Sequence, residues 1–415
     1  MHLSLICGPG RTLALRRLSF WRRGVMVSLG LDNQDWTTGV DMPRMREARK
    51  ERARMLMKQH GFDALLLYDA ANIRYVSSTV AGISAQGSRY CLLPGDKDPI
   101  VWEIGCDAGR ELLSAPWLKG RVHHAIPLKY APVEAAKEWA ANLKRVLKEE
   151  GLKDPMVGVD APTPKMTMAL DSAGIKFKDA SHVLFEARMI KTEDEIELCR
   201  QSIALAEPCF DVAQTMMRPG VRERDIQSAM AQILYRYGAE GHAVIASGDH
   251  TNPYWRRTLN DRALRPGDLV IIDRIHTLNG YPSDYVRTFL VGDKASQKQR
   301  DLHKECYEYM YSAIDIVKPG VTTADIAEKL HEAADYSEFT LQFGHSIGLA
   351  VHEPPYITLM SKYEPVVVQP NMVLAIETFV GESREGVRLE ENLLVTEKGF
   401  EILSLYPYDS KLAAD

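Results

Sequence analysis

The sequence predicts an α+β protein of two domains, an α/β layer domain followed by a unit of two similar α/β halves. Three observations carry this expectation. At 415 residues the chain is too long for one compact core, since a domain holds roughly 100–200 residues. Strand-like apolar runs alternate with helical patterns through the first half, which implies helices layered on a sheet. In the second half Pro219-Gly220-Val221-Arg222-Glu223-Arg224-Asp225-Ile226 is echoed by Pro319-Gly320-Val321-Thr322-Thr323-Ala324-Asp325-Ile326, with five of eight residues identical. A true repeat brings two sheets together around a central cleft. Chance plus ordinary helix-capping chemistry gives the same match.

Composition narrows the partners. With 45% hydrophobic and 26% charged residues the chain is ordinary for a folded protein. A net charge of −5 gives no reason to expect nucleic acid or an anionic membrane surface. No run of about 18 apolar residues offers a membrane span. Six scattered cysteines, Cys7, Cys91, Cys106, Cys199, Cys209 and Cys306, lack CxxC spacing and read as free thiols in a reducing, cytoplasmic compartment. Residues 1–40 stand apart as an extension. Up to Asp32 they hold no acid but carry Arg11, Arg16, Arg17, Arg22 and Arg23. This reads as an organelle presequence, a disordered tail, or an overlong start with Met26 as the true one.

In the first domain, expected over 41–185, Pro43 to Gly61 reads as an amphipathic helix with Met45, Ala48, Ala53, Met55 and Leu56 inward. Phe62–Tyr68, Tyr90–Leu93, Pro99–Trp102 and Met156–Asp160 read as strands, and a helix runs from about Pro132 to Glu149. No glycine loop or metal motif appears here. A boundary follows near Arg188–Thr192 and opens the second domain, 186–415. Thr192 and Glu195 have capping-box spacing. Pro208 should split the helix that follows or bend it.

Chemistry gathers in this second domain. Leu269-Val270-Ile271-Ile272-Asp273, the turn Asn279-Gly280 and Ser283-Asp284-Tyr285-Val286-Arg287-Thr288 read as a β-hairpin with two aspartates on facing strands. His345 and His352 lie in a strand broken by Gly and Pro. Glu377 sits inside Val373–Val380, and Glu390 inside Gly386–Val395. A lone polar residue on such a strand is usually a satisfied core residue. Two Asp, one His and two Glu on separate strands are another matter, because buried anions need cations between them. Two divalent ions meet that need, and the donors suit Mn, Fe, Co or Zn over a thiolate-seeking metal.

These residues resemble the pita-bread metallohydrolases, the superfamily of proline aminopeptidase, prolidase, methionine aminopeptidase and the metal-free creatinase. The likeness lies in Asp273 and Asp284 eleven apart, then Gly344-His345-x-x-Gly348-Leu349, His352-Glu353-x-Pro355, Glu377 and Gly386-Val387-Arg388-x-Glu390. It covers about 41–405 and implies a creatinase-like N-terminal domain before a two-halved catalytic domain. It implies that Asp273, Asp284, His345, Glu377 and Glu390 hold the metals, with Asp284 and Glu390 bridging, and that hydroxide between the metals attacks an amide carbonyl. It makes Glu377 the general base and gives His352 the developing oxyanion. Arg388 matches the arginine that orients the bridging glutamate at the substrate site. It further implies short Xaa-Pro peptides or similar small amides as substrates, and a homodimer.

Two departures bear on the substrate. The peptidases usually carry Asp-x-Gly at the first aspartate, whereas Arg274 and Ile275 follow Asp273 here. The family histidine eleven positions before Gly267 is replaced by Arg256, beside Tyr254 and Trp255. Arg256 either clamps a substrate carboxylate, with Trp255 against it, or pairs with a surface acid. Arg44-Met45-Arg46-Glu47, Asp69, Asn72-Ile73-Arg74-Tyr75 and Thr251-Asn252-Pro253 are similar to the dimethylsulfoniopropionate lyases of the same fold. Two alternatives therefore stand beside the hydrolase. One is a metal-dependent lyase on a small carboxylate zwitterion, and the other a non-catalytic pita-bread binding protein.

Overall fold

A computed structural model describes residues 39–80, 89–128, 131–252, 261–333 and 342–413. The arginine-rich stretch before Gly39, and Trp255 with Arg256, lie outside the described residues.

The first layer is built from α1 (Met42–Gln59), β1 (Ala64–Leu67), α2 (Ala70–Ser77), β2 (Tyr90–Pro94), β3 (Ile100–Glu103) and α3 (Gly105–Ser114). It continues with β4 (Val122–His124), α4 (Val133–Glu149), β5 (Met156–Val159), α5 (Pro164–Ser172), β6 (Lys176–Asp179) and α6 (Ser181–Met189). Its sheet has the order β4-β3-β2-β1-β5-β6. Successive residues of a strand face opposite sides. Ala64 and Leu66 therefore pack with Trp139 and Leu143 of α4, while Leu65 and Leu67 pack with Leu56 and Met57 of α1 and Leu184 of α6. Covered on both faces, β1 is apolar throughout. α6 crosses the expected boundary at 185, burying Val183, Leu184 and Ala187 in this first core.

α1 is rotated from the expected face. Met55 is exposed, whereas Arg49 and Lys50 are buried. Arg49 Nε donates to Glu195 at 2.9 Å and Lys50 Nζ to Asp98 at 2.6 Å, so partners remote in sequence make burial of the charges tolerable.

The second unit begins with α7 (Glu193–Met216), α8 (Glu223–Arg236), β7 (Glu240–Ser247), β8 (Leu269–Leu278), β9 (Tyr281–Ser283) and β10 (Val286–Leu290). Then follow α9 (Gln297–Ile314), α10 (Thr323–Ala333), β11 (Gln342–Ser346), β12 (Glu353–Thr358), β13 (Val373–Glu382), β14 (Glu385–Val395) and β15 (Phe400–Ile402). The capping box forms as expected between Thr192 and Glu195. Of the two outcomes expected at Pro208, a split or a bend, the split does not occur: α7 is one helix of 24 residues. Ala206, Cys209 and Phe210 are fully buried around the proline, so packing holds a turn that has lost one hydrogen bond.

The echo is structural. Gly220 N–H donates to Leu264 O at 2.9 Å and Gly320 N–H to Val368 O at 3.0 Å. Arg222 bridges to Ala263 as Thr322 does to Val367. Gly220 and Gly320 have φ of +89° and +95°, the left-handed region that glycine enters without cost to a side chain. Each half carries its own sheet, β10-β8-β7 with β9 on β8, and β12-β11-β13-β14-β15. The first layer touches this unit at the tip of the β8–β9 hairpin. Arg74 Nη2 donates to Asn279 O at 2.5 Å, and a Cβ on Gly280 would overlap the guanidinium.

Candidate metal centre

Strand parity puts the acids on one wall. The two-residue turn pairs Leu278 with Tyr281, and the same register pairs Asp273 with Val286. Positions two apart on a strand share a face, so Asp284 stands diagonally beside Asp273. The sequence suggested a strand residue at 284. In the structure Asp284 falls in the short break between β9 and β10, where Asn392 Nδ2 donates to its carbonyl at 2.6 Å. In the second sheet His345 pairs with Ala375, and Glu377, two positions on, pairs with Glu390. His345, Glu377 and Glu390 therefore share a face. The two sheets meet where Thr288 Oγ1 of β10 donates to Arg388 O at 2.8 Å and accepts from Arg388 N–H at 3.1 Å.

Oxygens of Asp273, Asp284 and Glu390 lie within 4.8 Å of one another, as do ligating atoms of Asp284, His345 and His352. Asp284 belongs to both groups. His345 Nε2 is 3.7 Å from Asp284 Oδ2 and 4.0 Å from Glu390 Oε1. Arg388 Nη1 donates to Asp273 Oδ2 at 2.5 Å, and Nη2 donates to Glu377 Oε2. Arg388 thus lies behind the acids, 2% exposed, and its hydrogen bonds run to Asp273 and Glu377 rather than to Glu390. His352 occupies a loop outside any strand, one-third exposed, with its ring edge-on to His345 at 4.4 Å and Nε2 3.5 Å from Asp284 Oδ2.

The donors suit cations. Asp273 Oδ1, Asp284 Oδ1, both Glu390 oxygens, His345 Nε2 and His352 Nε2 are buried without a hydrogen-bond partner among the described residues. His345 Nδ1 lies 3.1 Å from Ser346 O, which fixes the proton on Nδ1 and turns the Nε2 lone pair inward. Among the described residues, four carboxylates against the Arg388 charge leave a formal −3, which is costly to bury. Burial, and then Asp273, push the Asp284 carboxyl up to about 7. Burial, and then Asp284, hold Glu390 well above the carboxylate range. Burial brings His345 down to about 4. Carboxylate and imidazole donors gathered in this way suit a metal cation.

Residues 197–397 match the model of Metallopeptidase family M24, and residues 49–190 match that of the Creatinase/Prolidase N-terminal domain. The chain belongs to this metallopeptidase family. It is similar to the Xaa-Pro dipeptidase of Pyrococcus furiosus, 28% identical over 363 residues that cover 84% of this chain and 96% of the relative. The prolidase from Pyrococcus horikoshii shares the fold, with a TM-score of 0.70 at 24% identity over 87% of this chain and 99% of that one. The X-Pro aminopeptidase from Thermotoga maritima gives 0.70 at 25% identity, covering 87% and 98%. Neither the lyase nor the non-catalytic alternative gains support from these relatives. Among the described residues no helix is long and apolar enough to cross a membrane.

The sequence reading missed three groups in this metallopeptidase. Glu353 was only a letter of a motif, and Arg188 and Lys191 only markers of a boundary, yet all three are buried together. A second echo was also legible: Pro266–Asp273 and Pro370–Glu377 each place an acid seven residues after a proline.

Proposed function

We propose that this metallopeptidase hydrolyses Xaa-Pro peptides or similar small amides with two divalent ions, Mn, Fe, Co or Zn. Asp273, Asp284, His345, Glu377 and Glu390 would hold them. The observation that carries this reading is the convergence of buried, unpartnered oxygen and imidazole atoms from both sheets. The names of the similar proteins support the substrate class. Bound there, such ions make water a nucleophile at neutral pH and draw charge from a carbonyl. Glu377 takes up a proton as water attacks and returns it to the leaving amide nitrogen. Arg388 keeps the Glu377 and Asp273 carboxylates aimed. His352, at the accessible edge of the cluster, donates a hydrogen bond to the carbonyl oxygen as charge develops. Arg256 and Trp255 are assigned to the carboxylate end of the substrate.

The same reading carries a homodimer and a cytoplasmic setting; four free buried cysteines among the described residues suit a reducing compartment. It divides the chain into a short extension, a creatinase-like domain ending with α6, and the catalytic unit.

Elemental analysis of purified protein, with turnover of Xaa-Pro dipeptides in added Mn²⁺, tests it. About two ions per chain and peptide cleavage are expected. Glu377→Gln should lower kcat by about 100- to 10,000-fold, the usual worth of a positioned proton-transfer group. A metal-free, peptide-inert protein would overturn the reading.

A further inference from the structure

Between His345 and His352 the chain leaves β11, turns, and returns as β12. The turn is wrapped around one buried carboxylate. Glu353, 1% exposed, accepts from Arg188 Nε at 3.0 Å and Nη2 at 2.6 Å, and from Lys191 Nζ at 3.0 Å. Ala350 N–H, inside the turn, approaches the same carboxylate at 3.4 Å. A Cβ on Gly348 would overlap the Glu353 carboxylate, so the turn fits only with glycine there. At the other end Lys191 Nζ donates to Ser346 Oγ at 2.7 Å, and that hydroxyl donates to Val373 O at 3.0 Å. One lysine therefore ties the residue after His345 to the residue after His352.

The clamp is anchored in the first layer. Arg188 Nη1 donates to Asn72 Oδ1 at 2.7 Å, and Asn72 Nδ2 donates to Asp160 Oδ2 at 3.0 Å. Burying three charges is a poor way to gain stability, since well-packed apolar residues do as well or better. What the ions add is direction. Together they fix the two ends of the turn that carries His352, whose own ring is one-third exposed and has, among the described residues, no hydrogen bond at Nε2.

We propose that Glu353, gripped by Arg188 and Lys191, is the positioning residue for His352, so that the junction between the domains sets where this imidazole meets the substrate. The inference rests on the peptide-hydrolase reading for its kinetic arm only. The experiment compares Glu353→Gln and Lys191→Met in the full chain, each in wild-type and His352→Ala backgrounds. Hydrogen exchange of residues 346–352 is measured alongside kcat and KM on an Xaa-Pro dipeptide. Each substitution should lower kcat by about 10- to 100-fold with KM little changed, the range for groups that orient a site residue from behind. In the His352→Ala background neither should cost anything further, because the two changes disable one device. Exchange in 346–352 should rise while β13 and β14 stay protected. Arg188→Lys, which keeps the charge, should restore part of what Arg188→Met loses. Unchanged exchange, or equal losses in both backgrounds, would overturn the proposal. If Glu353→Gln fails to fold, Lys191→Met reads the same two quantities. If the wild-type protein cleaves no peptide, the hydrolase reading fails and exchange alone decides the clamp.

Discussion

Replacing Arg388 by methionine removes the one cation that, among the described residues, hydrogen-bonds two of the four buried acids. Its guanidinium gives one hydrogen bond to Asp273 and one to Glu377, and all three side chains are at most 9% exposed. Hydrogen bonds to charged groups contribute about 1.5–3 kcal/mol each, so the pair is worth about 3–6 kcal/mol. Removing one partner of a buried ion pair costs about 3–5 kcal/mol by an independent route. The formal charge of the cluster falls from −3 to −4, and protons held by Asp284 and Glu390, both raised above the ordinary carboxylate range, offset part of it. The expected loss is therefore about 3–5 kcal/mol for chelator-treated protein at neutral pH. Urea unfolding followed by far-ultraviolet circular dichroism measures it. Repeating the titration with excess Mn²⁺ should narrow the gap, because added cations replace the missing positive charge. A loss below about 1 kcal/mol, the worth of an exposed pair, would refute the argument that Arg388 balances the acids. So would a gap that metal does not alter.

Arg274, one residue on, faces the other way from Asp273, toward the helices, where Cys209 is its near neighbour. It is 1% exposed, and its Nε and Nη2 have no hydrogen-bond partner among the described residues. Arg274→Met should therefore raise stability in urea by about 1–4 kcal/mol, and a clear loss would mean that the contact with Cys209 outweighs the two orphaned nitrogens. His276 is buried with Nε2 2.8 Å from Ser202 O, and burial, then Arg274, brings its pKa from 6.5 down to about 3. The unfolded chain binds this proton below 6.5 and the folded one does not until about 3, so the contribution is full above pH 6.5 and is lost as pH falls. At pH 5 the loss is about 2 kcal/mol, from 1.36 kcal/mol per unit. Urea titrations at pH 5 and pH 7.5 should show that difference shrink in His276→Gln, and an unchanged slope would sink it.

The hairpin acids were legible because a two-residue turn fixes strand parity, and parity alone decides that Asp273 and Asp284 share a face. Strand context likewise exposed His345, Glu377 and Glu390 as polar residues out of place. What could not be read was the direction of charges whose partners lie far along the chain. Arg49 and Lys50 looked like the solvent side of α1, and only Glu195 and Asp98 make them inner residues. At Pro208 a split and a bend both stood open, since local sequence does not reveal how tightly its neighbours are packed. Glu353 passed as a letter beside His352 because the cations that bury it belong to α6 and to the connection after it. In each case the deciding interaction has high sequence separation, which periodicity and local propensity do not sense.

The duplicated hairpins explain why an arginine sits among the acids. Asp273 and Glu377 are 104 positions apart, each following a proline by seven, and each opens into a hairpin whose turn holds a left-handed residue, Asn279 at φ 51° and Ser383 at φ 58°. The same offset carries Val286 to Glu390, and the registers agree: Asp273 pairs with Val286 and Glu377 with Glu390. It carries Asp284 to Arg388. A carboxylate at 388 in place of the guanidinium, with Glu390 kept, would make the formal charge of the cluster −5 rather than −3. Two divalent ions could not neutralise it, and the buried excess would cost several kcal/mol. A guanidinium at that position lies on the shared face, reaches the acid of each half at Asp273 and Glu377, and leaves a deficit that two divalent cations can meet.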